Sequence, residues 1–103
     1  MKIVVIGLGY VGLTLALTLS DVGFKVEGID KDSRKISKLN IGQPTLYEAK
    51  IQTILLNALE SNSITFHENI SKSNDNRIFI VSVGTPIDDL SNPLIGNLEI
   101  DFY

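Results

Sequence analysis

The chain has 103 residues, enough for one domain with one core and too few for a second. An apolar content of 44% and a charged content of 20% exclude wholesale disorder, and 9 basic against 12 acidic residues (net charge −3) leave no basic footprint for nucleic acid or an anionic membrane. The absence of cysteine excludes a disulfide scaffold, a thiolate metal site and a cysteine nucleophile within these residues, and the single histidine excludes a multi-histidine zinc site.

The stretch from Ile3 to Ser20 carries no charge and by length alone resembles a signal peptide or membrane span. Gly7, Gly9 and Gly12 interrupt it, Lys2 is its only flanking cation, and no small-residue cleavage site follows. It also splits into two periodicities. Ile3 to Ile6 is a continuous β-branched run, as in a strand covered on both faces, whereas Val11, Leu15, Leu19 and Val22 recur at helical spacing. The reading is a strand from Lys2 to Ile6, a glycine turn, and a helix from Tyr10 to Asp21 stopped by Gly23. With no targeting signal, a cytoplasmic location is expected.

A second strand follows from Lys25 to Ile29. Asp32 or Ser33 can cap a short helix that turns Ile36 and Leu39 inward, with Asn40 to Gly42 ending it. Thr45 and Glu48 form a capping box opening a helix with Ile51, Ile54, Leu55 and Ala58 on one stripe. Ser63 to Phe66 is a short third strand, His67 to Asn76 a polar loop, and Ile78 to Val83 a fourth, apolar strand. Gly84 to Pro86 turns the chain, and Asp88 to Tyr103 has no strong period. His67 and the adjacent Asp88 and Asp89 read as solvated loop residues. Strands alternating with helices predict an α/β, Rossmann-type three-layer αβα fold with a short parallel sheet of order 3-2-1-4, truncated after strand four. Such a truncation exposes an apolar sheet edge, which either the tail after Pro86 covers or a second copy pairs with as a homodimer.

Gly7-Leu8-Gly9-Tyr10-Val11-Gly12 has the pattern G-x-G-x-x-G, directly after a strand and opening a helix, with Asp30 at the end of the next strand. In that context Gly7 permits a tight turn, Gly9 lets a pyrophosphate approach the backbone, and Gly12 allows the helix to pack close to the strand. The free amides around Tyr10 and Val11, with the helix dipole, attract the anion. Asp30 is placed to accept hydrogen bonds from the adenosine ribose and to repel a 2′-phosphate, which favours NAD over NADP. Lys31, Arg34 and Lys35 could contact a 2′-phosphate, but with Asp32 among them they read as a solvated charged face.

Beyond this loop, Lys2 to Leu15 (KIVVIGLGYVGLTL) resembles the amino terminus of the UDP-glucose/GDP-mannose dehydrogenase family, the nucleotide-sugar 6-dehydrogenases. Gly28-Ile29-Asp30 with Lys35, Leu39-Asn40 and Gly42, then Tyr47-Glu48 with Ile51, Ile54 and Leu55, then Val83 to Pro86 resemble further family motifs in the same order. The resemblance implies an NAD-binding domain of an enzyme that oxidises the C6 alcohol of a nucleotide sugar to a carboxylate with two NAD. It implies that Asp30 and Lys35 hold the adenosine ribose, that Tyr10 and Val11 meet the pyrophosphate, and that Thr85 lies near the cofactor. Ala49-Lys50 stands where the family has Pro-Gly, and the polar Ser71 to Asn76 stretch stands in place of a crossover helix. The resemblance further implies an incomplete domain: the family's catalytic cysteine, lysine and asparagine and its sugar-binding domain have no counterpart here, so the nucleotide sugar would be met only through those domains and this chain alone would not turn over. Two other readings share the glycine loop: a non-catalytic NAD-sensing domain of a potassium channel or transporter, and another Rossmann dehydrogenase of the hydroxyacyl or phosphogluconate type.

Overall fold

The computed structural model describes residues 1–44, 49–72, 75–83 and 99–102. In chain order these form β1 (Lys2–Ile6), α1 (Tyr10–Asp21), β2 (Lys25–Ile29), α2 (Ser33–Asn40), α3 (Ala49–Glu60), β3 (Ile64–His67), β4 (Arg77–Val83) and β5 (Glu99–Phe102). The sheet order is β3-β2-β1-β4-β5. The parallel part follows the Rossmann order expected from the sequence: β1 pairs parallel with β2 and β4, and β2 with β3. The capping box at Thr45 and Glu48, the turn with Thr85, and Asp88 and Asp89 lie outside the described residues.

Side chains alternate across a strand, and the register puts Ile3, Val26, Ile64 and Ile78 on one face, with Val5, Gly28, Phe66 and Ile80 in the next row. That face carries the core. Ile3, Val5, Val26, Ile64, Phe66 and Ile80 join Leu13 and Leu17 of α1, Ile36 and Leu39 of α2, and Ile51 and Leu55 of α3 in one buried cluster. All three helices therefore lie on this face, as successive right-handed crossovers in one direction require, so among the described residues the second helical layer of the expected three-layer αβα arrangement is not present. The order then steps back across the sheet from β3 to β4; the described crossover residues 68–72 and 75–76 form no helix or strand, and Ser71 reaches Glu27 on the second face. Val4 and Glu27 are buried on that face.

Three other expectations change. The inward stripe of α1 is not Val11, Leu15, Leu19 and Val22: Val11 and Val22 are exposed, Leu15 and Leu19 partly buried, and the buried residues are Gly12, Leu13, Ala16, Leu17 and Ser20. This helix is apolar on several sides, so spacing alone left its rotation undetermined. The bounds of β3 and β4 each differ by one residue, making His67 the last residue of β3 rather than the first of a loop. The sheet also does not end at strand four. β5 pairs antiparallel with β4, from Ile80↔Phe102 to Val83↔Glu99. The tail thus pairs with the edge of β4 along Ile80 to Val83, the covering expected of it as one of two alternatives.

The stretch from Ile3 to Ser20 divides into β1 and α1, and no described helix is long and apolar enough to cross a membrane. Leu55, fully buried between α3 and the rest of the core, sets the scale of packing. Leu55→Ala should destabilise the fold by about 2–5 kcal/mol, read from denaturant unfolding; a loss below about 1 kcal/mol would mean that α3 does not close this core.

Candidate functional site

The glycine loop is fixed by contacts on three sides. The Gly7 N–H donates to the Ile29 carbonyl at 2.8 Å, tying the end of β1 to β2. Gly7 has φ +94°, and a methyl there would also run into the Ser82 carbonyl oxygen of β4. A methyl on Gly12 would run into the carbonyl oxygen of Gly7. Gly9 differs: nothing lies within 4 Å of the position its Cβ would take. Gly7 and Gly12 are therefore required by the fold itself, whereas the space above Gly9 is open to a ligand.

The N-terminus of α1 is also open. Its first helical bond runs from the Leu13 N–H to the Gly9 carbonyl at 2.9 Å, so the amides of Tyr10, Val11 and Gly12 precede the ladder. No side chain caps this helix and its first turn holds no acidic residue. The contrast with α2 is informative, because there Asp32 caps the helix by accepting from the amides of Arg34 and Lys35. An uncapped helix start beside an uncluttered glycine suits a diphosphate, which would supply the missing acceptors and meet the positive end of the dipole.

Asp30, at the end of β2, links the loop to α2. Its Oδ2 accepts from the Leu8 amide at 2.9 Å and from Lys35 Nζ at 3.1 Å, while Oδ1 accepts from the Asp32 amide at 2.9 Å. Its own amide donates to the His67 carbonyl at 3.2 Å. Two donors fill the lone pairs of Oδ2, and Oδ1 keeps one acceptor position for a ligand hydroxyl. Burial pushes the carboxyl upward, but the hydrogen bonds from Asp32, Leu8 and Lys35 and the Lys35 charge outweigh it and hold the group below its ordinary value. The unfolded chain thus binds the proton more readily. Asp30 contributes stability that is present above its ordinary pKa of about 3.9 and is lost as pH falls through the depressed folded value. The stability gap between the wild type and Asp30→Asn should therefore be full at neutral pH and shrink on acidification, read from urea unfolding at stepped pH. A gap that widened in acid would contradict this.

A cleft of about 710 Å3 is lined by Ile6, Gly7, Ile29, Asp30, Lys31, Val81 and Ser82, at or just beyond the carboxyl ends of β1, β2 and β4, and by Glu68, Asn69 and Ile70, which follow β3. Its size is that of a small-molecule site, and it opens at the carboxyl ends of the parallel strands, where open α/β sheets bind ligands. The structure brings Gly7, Gly9, Tyr10, Val11, Gly12, Asp30 and Lys35 to this one edge. Tyr10 and Val11 are exposed there. Among the described residues no group of His, Cys, Asp and Glu side chains could hold a metal ion.

Sequence reasoning missed three participants. The Leu8 amide on Asp30 had no side-chain signal. Ser82 backs the glycine loop with its carbonyl oxygen, which only the β1–β4 register shows. Glu68 to Ile70 line the cleft because they follow β3 directly.

The donor set fits a dinucleotide, with open amides for the diphosphate, the Asp30 carboxylate and Lys35 ammonium for a ribose, and an apolar wall for a base. Comparisons with known proteins agree. Residues 1–100 match the model of the UDP-glucose/GDP-mannose dehydrogenase family, NAD binding domain. The UDP-glucose 6-dehydrogenase of Rickettsia prowazekii is 42% identical over 92 residues, covering 87% of this chain and 21% of that protein. The UDP-N-acetyl-mannosamine dehydrogenase of Staphylococcus aureus superimposes with a TM-score of 0.74 at 31% identity, over 84% of this chain and 20% of that one. A GDP-mannose dehydrogenase from Pseudomonas aeruginosa does so with a TM-score of 0.72 at 26% identity, over 98% and 22%. The chain spans about a fifth of the length of these relatives. The family match sets aside the potassium-transport and other-dehydrogenase readings, and the chain belongs to the UDP-glucose/GDP-mannose dehydrogenase family as its NAD-binding domain.

Proposed function

We propose that these residues are the NAD-binding part of a cytoplasmic nucleotide-sugar 6-dehydrogenase, and that Gly7, Gly9, Tyr10, Val11, Gly12, Asp30, Lys35 and Thr85 hold the cofactor. The observation that carries this reading is the pairing of an uncapped α1 with an open Gly9, beside an Asp30 that keeps one acceptor position free. The Tyr10 and Val11 amides bind the diphosphate. Asp30 accepts a ribose hydroxyl while Lys35, already on Oδ2, holds the carboxylate in place and offers its remaining protons to the same sugar. A 2′-phosphate would meet the Asp30 charge at close range, so NAD is preferred to NADP. Thr85 is assigned by its motif alone.

The bound nicotinamide supplies the hydride acceptor for oxidation of a C6 alcohol, on a UDP- or GDP-linked sugar. The residues that position the sugar and act as base and nucleophile belong to catalytic and sugar-binding domains beyond this one, since no cysteine is present to form a thiohemiacetal. Mixing the 103-residue chain with NAD and either UDP-glucose or GDP-mannose tests this division. The expected result is NAD binding, no measurable sugar-nucleotide binding and no NADH formation. Turnover by this chain would overturn the assignment of chemistry to other domains.

A further inference from the structure

Glu27 is the one carboxylate buried within the sheet among the described residues, at 2% exposure in the middle of β2. It lies on the face away from the helices, where Val4, its neighbour in register, is apolar and fully buried. Ser71 Oγ sits 3.3 Å from its Oε1 and 3.4 Å from Oε2 and donates to the carboxylate, and Lys2 Nζ stands 3.8 Å from Oε2. Ser71 is held from the other side as well: its carbonyl accepts from Arg77 Nη1 at 2.7 Å, and that guanidinium lies over the Phe79 ring, 5.1 Å from its centroid. A buried charged group of this kind adds little stability over an apolar residue of the same size; what it adds is direction. The residues just before Ser71 are Glu68, Asn69 and Ile70, which line the cleft. This stretch has no helical or sheet ladder to fix it. Side-chain bonds must do so instead.

We propose that Glu27 and Ser71 are positioning residues for the cofactor: the Glu27 carboxylate anchors Ser71 on the helix-free face and thereby sets Glu68 to Ile70 as the wall of the cleft. The proposal rests on the NAD reading for its ligand and on the Glu27–Ser71–Arg77 geometry for its mechanism. Neither residue touches the cofactor; both act through the segment they hold.

The test compares the wild type with Ser71→Ala, Ser71→Thr and Glu27→Gln by amide hydrogen exchange of the free chain, calorimetric NAD titration and thermal unfolding. Ser71 is exposed, so its variants leave the core intact. Ser71→Ala should speed exchange by about tenfold, confined to Asn69 to Ser71, and weaken NAD binding about fivefold, with a lowered unfolding midpoint because the buried Glu27 carboxylate loses its hydroxyl donor. Ser71→Thr, which keeps the hydroxyl, should restore exchange and affinity, and Glu27→Gln should move both in the direction of Ser71→Ala. Unchanged exchange in Ser71→Ala, or faster exchange with unchanged NAD affinity, would overturn the proposal. A wild type that does not bind NAD would instead defeat the cofactor reading. Exchange in the free chain then still decides the anchor: protection lost in Ser71→Ala and regained in Ser71→Thr upholds it, and protection unchanged removes it.

Discussion

Gly9→Ala is expected to leave the fold intact and weaken NAD binding by at least about tenfold, or roughly 1.4 kcal/mol, whereas Gly12→Ala is expected to damage the fold itself. The two positions lie three residues apart in one motif, yet their surroundings differ. Gly9 has ordinary negative φ at −71° and empty space where a Cβ would stand, so alanine fits the backbone without strain. Its methyl would occupy the approach to the first amides of α1 and keep a diphosphate at a distance. At Gly12 a methyl would collide with the Gly7 carbonyl oxygen, a backbone atom that cannot swing aside. Relieving that clash moves α1 away from β1 and should cost about 1–3 kcal/mol, as other overpacked sites do. Thermal unfolding and NAD titration of both variants separate these effects. An NAD affinity unchanged in Gly9→Ala would mean that the space above Gly9 is not a ligand site.

Asp30→Ala should weaken NAD binding by about 1.5–3 kcal/mol, on the order of ten- to a hundredfold, because a hydrogen bond to a charged group is lost. The effect has two origins. One is the free acceptor position on Oδ1. The other is the Leu8 amide on Oδ2, through which Asp30 braces the glycine loop from the end of β2. Asp30→Ala also releases Lys35 and leaves the Asp32 amide without its acceptor. With the carboxylate gone and Lys31, Arg34 and Lys35 still present, NADP should lose its disadvantage, so the ratio of NAD to NADP affinity should fall toward one. Calorimetric titration with both nucleotides reads this, and an unchanged ratio would remove Asp30 as the determinant of cofactor choice.

Much of this was legible in the sequence where a local signal was strong. The β-branched run before the first glycine, the Asp32 cap and the Ile51, Leu55 and Ala58 stripe each specify their element through short-range chemistry. The rotation of α1 was not legible, because apolar residues surround it and only the sheet beneath selects a face. β5 was missed although Glu99-Ile100-Asp101-Phe102 alternates polar and apolar, because four residues at the end of an aperiodic stretch are a weak signal until their pairing with β4 is seen. At the site, the G-x-G-x-x-G loop and Asp30 stood out because each role demands a particular residue type. The backbone partners, Leu8 and Ser82, did not, because any residue can offer an amide or a carbonyl. Glu27 did carry a signal, an ionisable residue between Val26 and Gly28 inside β2, and its meaning appeared only once Ser71 was seen against it.

The most direct test of the central claim, that this glycine loop and Asp30 form an NAD site, is calorimetric titration of the 103-residue chain with NAD and NADP under identical conditions. The account predicts one saturable NAD site and an NADP affinity at least about tenfold weaker. No binding of either nucleotide, or equal affinity for both, would contradict it.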